Sequence, residues 1–92
     1  MTVIWSKKAQ KSFLNTLEYI LDKWTVNEGE AFENKVYSYI ERLKINNELC
    51  PASKISHLRK CLVAKQTSLI YKLSGDKIVL VAFIDNRSHH KY

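Results

Sequence analysis

Thr67-Ser68-Leu69-Ile70-Tyr71-Lys72-Leu73-Ser74-Gly75-Asp76-Lys77-Ile78-Val79-Leu80-Val81-Ala82-Phe83-Ile84 is the stretch whose reading decides the fold. Its first part, Thr67–Leu73, sets Leu69, Tyr71 and Leu73 against Ile70 and Lys72, the two-residue period of a strand. Ser74-Gly75-Asp76 reads as a hairpin turn, with Gly75 able to take positive φ. Ile78–Ile84 is apolar throughout, as expected of a strand buried on both sides at the centre of a sheet.

Upstream, Ile55–Val63 mixes apolar and basic residues and predicts another strand, with His57, Arg59 and Cys61 on one face. Asn46–Lys54, which contains Pro51, is the main loop. Ahead of that loop the period changes to that of a helix. Phe32, Val36, Tyr39, Ile40 and Leu43 repeat on one face up to about Asn46, and Asn27 with Glu30 has capping-box spacing. Phe13, Leu17, Ile20, Leu21 and Trp24 predict a first helix from about Lys7 to Trp24, with these residues in the core and Ser6 as its N-cap. A connection of only Thr25 and Val26 makes the two helices an antiparallel hairpin. Thr2–Trp5 is a short β-branched and aromatic run that reads as the opening strand. The order is therefore β-α-α-β-β-β. It predicts an α+β fold with an antiparallel-dominated sheet of about four strands, the helical hairpin on one face and the other face free.

Ninety-two residues predict one domain spanning 1–92, and a composition 46% hydrophobic with two glycines and one proline argues against disorder. Met1–Ser6 has only a short apolar patch before Lys7 and Lys8, far below the roughly 20 apolar residues of a membrane span, and no signal-peptide pattern. The expected location is the cytoplasm, with Cys50 and Cys61 as reduced thiols. The net charge of +6 is segregated: residues 1–53 hold seven Lys/Arg against seven Asp/Glu, and residues 54–92 hold eight against two, with all three histidines. A basic half beside a neutral half points to a polyanion or an acidic partner.

The element order in a short basic chain resembles the RelE/ParE toxin superfamily. The residues that carry the resemblance are Val3-Ile4-Trp5-Ser6 with Ala9, Leu58-Arg59, Leu69-Ile70-Tyr71-Lys72-Leu73, the Gly75-Asp76 turn and Val81-Ala82-Phe83-Ile84-Asp85-Asn86-Arg87. The resemblance implies the toxin of a type II toxin–antitoxin system, a growth inhibitor silenced by a small protein antitoxin that wraps its working surface. Two activities are known on this fold: RelE-like members cleave messenger RNA in the ribosomal A site, and ParE-like members inhibit DNA gyrase without acting as nucleases. An inactive, antitoxin-binding relative is a third possibility.

Metal-free RNA cleavage needs a base for the 2′-hydroxyl, a cation for the pentavalent phosphate and an acid for the leaving oxygen. RelE-like nucleases carry an arginine just before their Leu-Val-Tyr segment, and the position aligned with it here is Ser68. Arg87 matches an arginine found in both branches. Ser88-His89-His90-Lys91-Tyr92 resembles the catalytic histidine–tyrosine ending of YoeB-like nucleases, but Lys91 separates the pair and the commoner fate of last residues is to fray. As a nuclease, the chain would work through Arg59, Arg87, His90 and Tyr92. Ser68 and the long helical hairpin favour the ParE-like branch, with Arg59, Lys60, Lys65 and Arg87 contacting the target or the antitoxin. No CxxC or HxxxH pair suggests a metal, no glycine-rich loop suggests a nucleotide, and no cofactor is expected.

Overall fold

A computed structural model describes residues 1–92 and runs β1 (Thr2–Trp5), α1 (Lys7–Lys23), α2 (Val26–Ile45), β2 (Leu58–Ala64), β3 (Thr67–Ser74) and β4 (Lys77–Asp85). The predicted β-α-α-β-β-β order holds. The four strands form one sheet in the order β1-β4-β3-β2. Two pairings are antiparallel and β1 is parallel to β4, so the sheet is mixed. The two-residue turn Gly75-Asp76 joins β3 to β4, and Gly75 takes a φ of 60°.

β1 is only four residues long and reaches no further than Leu80 on β4. The rest of that edge of β4 would leave backbone groups bare. Helix α1 supplies the partners. Ser6 Oγ accepts from the Ala9 amide at 3.0 Å as the helix N-cap and donates to the Val81 carbonyl at 3.0 Å. Ser12 Oγ accepts from the Phe83 amide at 2.9 Å. These two hydroxyls pin the helical layer to the central strand.

The connection between the helices is one residue earlier than expected, at Trp24 and Thr25. Thr25 is the N-cap, its extended backbone and its Oγ1 receiving the Glu28 amide at 3.2 Å, and Asn27 lies inside the first turn. The helix restarts at once, so the first residue with a hydroxyl takes the cap. Gly29 makes room for the neighbouring helix: a Cβ there would stand 2.7 Å from Leu21 Cδ2.

The core joins Phe13, Phe32, Val36, Ile40 and Leu43 of the helices to Leu69, Tyr71, Ile78, Leu80 and Phe83 of the sheet. Leu21 and Trp24, expected in the core, are 46% and 66% exposed. They belong to the last turn of α1 and its C-cap, where the hairpin tip has no element packed outside it.

Three further expectations are corrected. The strand after the main loop begins at Leu58 and not Ile55, because His57 takes a left-handed φ of 71°. His57 therefore does not share a face with Arg59 and Cys61. The loop folds back along β2, with Lys60 N–H donating to the Pro51 carbonyl at 3.0 Å and Ala52 bridging to Arg59. That return sets Cys50 beside Cys61, and the two form a disulfide, not free thiols. Finally, the C-terminal residues do not fray. Tyr92 is 6% exposed, and its carbonyl accepts from the Lys54 amide at 3.1 Å. Ile70 and Ala82 pair across β3 and β4 on the face away from the helices, and both are fully buried. The returning tail thus covers part of a face expected to be bare.

Candidate functional site

Three regions hold the residues that carry chemistry. The first is a groove of about 460 Å³ between the helical hairpin and the ends of β2, β3 and β4. Tyr19, Trp24 and Phe32 supply its aromatic wall, and Lys35, Lys65 and Arg87 supply its cations. Arg87 grips Asp85 with two bonds, Nε to Oδ1 at 3.0 Å and Nη2 to Oδ2 at 2.7 Å. The Arg87 amide also donates to Asp85 Oδ1 at 2.9 Å. Those hydrogen bonds hold the Asp85 carboxyl below the usual carboxylate range, and the same pairing, with Tyr19 assisting, raises the Arg87 guanidinium. The arginine side chain is still 52% exposed, so one edge of its fork faces the groove. Lys65 and Arg87, both expected as contact residues, meet here.

The second region lies toward the other end of the sheet. Arg59 donates from Nη1 to the carbonyl of Cys50 at 2.7 Å, and its Nη2 stands 3.9 Å from a Glu48 carboxylate oxygen. Beside it the Tyr71 hydroxyl donates to the Asn47 carbonyl at 2.9 Å, and burial raises the Tyr71 phenol above its ordinary value. With the disulfide, these contacts clamp the loop 46–54 onto the sheet.

The third region is the tail-covered face. Ser68 is 1% exposed and donates from Oγ to Asn86 Oδ1 at 2.9 Å. Tyr92 Oη accepts from Lys8 Nζ at 3.2 Å, and the His90 ring lies 6.3 Å from the Tyr92 ring. His90 Nδ1 is buried with no hydrogen-bond partner. Lys60 points to this face, since it stands opposite Ile70 in the register.

The structure therefore brings His90 and Tyr92 together but distributes the other candidates. Arg59 turns to the helix side with Cys61, and Arg87 sits at the groove. Lys8, Tyr19, Trp24, Phe32 and Lys35 were not anticipated as site residues. Lys8 reaches Tyr92 across 84 positions of chain, and no local pattern encodes such a contact.

A family model for the ParE toxin of the type II toxin–antitoxin system parDE matches residues 3–90. The chain belongs to the ParE toxin family. Among solved structures, this ParE-family toxin is similar to a chain of the chromosomal ParDE system from P. aeruginosa, with a TM-score of 0.78 and 12% identity over 92% of this chain and 95% of that one. It is also similar to a copper-bound mutant toxin from Helicobacter pylori, with a TM-score of 0.67 and 17% identity over 92% and 93% of the two chains. At such identities the likeness establishes the fold. None of the curated proteins matches the chain in sequence. The family fixes its class, the toxin of a type II toxin–antitoxin pair, and so implies an antitoxin as partner. No helix of the toxin is long and apolar enough to cross a membrane, and no group of three or more His, Cys, Asp or Glu is placed to hold a metal ion.

Proposed function

We propose that this ParE-family toxin stops growth by binding DNA gyrase in the cytoplasm, as a protein ligand and not as a nuclease, until its antitoxin covers the same surface. The observation that carries the reading is Ser68. At the position where RelE-like relatives place a phosphate-clamping arginine, this chain has a buried hydroxyl already bonded to Asn86. The remaining candidates do not converge on one scissile bond, and losing a preorganised charge at a transition state costs several kcal/mol, about 3 to 4 for one oxyanion-hole donor. The groove suits protein contact better. Aromatic residues and arginine are the types that anchor interfaces, and Tyr19, Trp24 and Arg87 line it together. In this reading Arg87 and Lys65 are the contact residues, and both line the groove. Purified toxin should inhibit gyrase supercoiling, and Arg87→Ala should weaken that inhibition. In induced cells DNA synthesis should fall before protein synthesis.

The docked tail favours one second reading, a ribosome-dependent endoribonuclease in which His90 and Tyr92, with Lys8 against the phenol, handle the protons. Protein synthesis falling first, with activity lost on deleting residues 88–92, would select it over gyrase inhibition. Unchanged growth without antitoxin would remove both.

A further inference from the structure

The face of the sheet opposite the helices carries lysines and no acidic side chain of a strand. Six of the nine carboxylates lie on α1 and α2, and the other three are Glu48 in the loop, Asp76 in the turn and Asp85 at the end of β4. Asp85 turns to the helix side, where it lines the groove. No strand therefore presents an acid to the far face. Lysines do populate it. Lys60 stands opposite Ile70, and Lys72 stands opposite Val79, so both project on the same side as Ile70 and Ala82. The tail adds Lys91, whose ammonium lies 5.6 Å from the Tyr92 ring centre, and Lys8 approaches the same ring at 5.6 Å. The backbone amide of Lys54, an exposed residue, holds the Tyr92 carbonyl, so this lysine sits beside the tail. None of these five lysines takes part in an ion pair.

Residue type separates this face from the groove. Lysine is depleted in protein–protein interfaces while arginine and aromatic side chains are enriched. Lysine is a point-charge binder of phosphate, and contacts to phosphate position a nucleic acid without reading its bases. We propose that the tail-covered face binds the phosphodiester backbone of nucleic acid, through Lys8, Lys54, Lys60, Lys72 and Lys91, independently of sequence. The docked Tyr92 holds the tail in place and so sets Lys91 among the others. The inference does not rest on gyrase being the target, because it concerns the opposite side of the sheet from the groove.

The test is fluorescence anisotropy of labelled single-stranded DNA, single-stranded RNA and duplex DNA titrated with the purified toxin alone. With about five phosphate contacts, affinity for single strands should fall on the order of 100-fold between about 50 and 200 mM salt. The double variant Lys60→Glu/Lys72→Glu should bind at least tenfold more weakly, with a salt slope shallower by about 1.4. A charge-matched control on the helical layer, Lys23→Glu/Lys44→Glu, should stay within about twofold of wild type, since long-range effects of exposed charges are screened. Melting curves confirm that each variant is folded. Binding to any of the three probes with this pattern supports the proposal, and the preferred probe identifies DNA or RNA as the source of the backbone. Equal losses in the two double variants overturn it, as does absence of salt-dependent binding. Tighter binding to polyglutamate than to every oligonucleotide also overturns it, in favour of an acidic protein. Gyrase inhibition assayed in parallel keeps the two claims apart, because oligonucleotide binding is read without gyrase present.

Discussion

Arg59 and Arg87 both belong to the basic half of the chain, and they stand toward opposite ends of the sheet. Arg59 lies level with Tyr71, and Arg87 follows Asp85, which is level with Thr67. The four residue steps between those levels on β3 span roughly 13 Å. Arg59 is turned inward, with its guanidinium on the Cys50 carbonyl and its side chain 30% exposed. Arg87 is turned outward, paired with one carboxylate and 52% exposed at the rim of a groove. One cation closes a loop and the other stays half exposed at the rim of the groove. Charge counting along the sequence cannot separate these uses, because what differs is the identity of the acceptor. Backbone carbonyls of a loop make an arginine structural, whereas a single exposed carboxylate leaves it available.

The strongest way to break the comparison is to open the clamp. Cys50 and Cys61 close a loop with a sequence separation of 11. The chain-entropy treatment of so short a loop gives about 3 kcal/mol of stabilisation. Reducing the bond, or replacing both cysteines by alanine, should lower the melting temperature by on the order of 15 °C. The groove lies at the other end, so inhibition by the surviving folded fraction should be unchanged. Thermal melts with and without a thiol reductant measure the first part, and gyrase inhibition at low temperature the second. Inhibition lost while the protein stays folded would mean that the two ends act as one site.

Arg59→Ala comes next, since it leaves the Cys50 carbonyl without its charged donor. A bond of that kind contributes about 2 kcal/mol, which denaturant titration resolves. Arg59→Lys should recover less than half, because a point charge cannot reproduce the fork. If Arg59→Ala unfolds no earlier than wild type yet loses inhibition, Arg59 is a contact residue and not part of the clamp. Tyr71→Phe removes the hydroxyl from the Asn47 carbonyl on the same loop and should cost about 1 kcal/mol. In wild type, the phenol's raised value means its stabilisation is complete below about pH 10 and is lost as the pH rises further. The Phe variant should lack that alkaline loss.

How much of this was readable in advance depends on the range of each interaction. The β3–β4 hairpin and the helical hairpin follow from short-range periodicity, and both form, the helical turn one residue early. The Ser6 cap was legible because an N-cap serine and its amide are three residues apart. The cap of α2 was missed by two residues because Thr25 and Asn27 both suit the role and only the tightness of the connection decides. The disulfide, the Lys8–Tyr92 contact and the groove are long-range products of packing. Cys50 meets Cys61 only because the loop doubles back along β2. Ser68 was noticed for the charge it lacks, and its bond to Asn86 shows what occupies the place instead. At the tail, local reasoning favoured fraying, but a lysine amide and a lysine ammonium from two distant segments hold it down.

The smallest structural effect belongs at the outward arginine. Arg87→Ala should shift the melting temperature by no more than about 2 °C, as exposed substitutions away from packed features usually do. It should nevertheless abolish or strongly weaken growth inhibition if the groove is the working surface. The pH dependence of its partner sharpens the point. Asp85 is held below its usual value by hydrogen bonds from Arg87, so whatever the pair stabilises is present above about pH 4 and fades as the pH falls through the lowered value. Across neutral pH both partners stay charged, and inhibition should show no titration attributable to the pair. Asp85→Asn removes the acid-side loss while leaving the guanidinium in place. Loss of inhibition in Arg87→Ala with retention in Asp85→Asn would assign the activity to the cation itself. Loss in both would mean that the carboxylate must hold the fork in position, and the outward arginine would then be as constrained as the inward one.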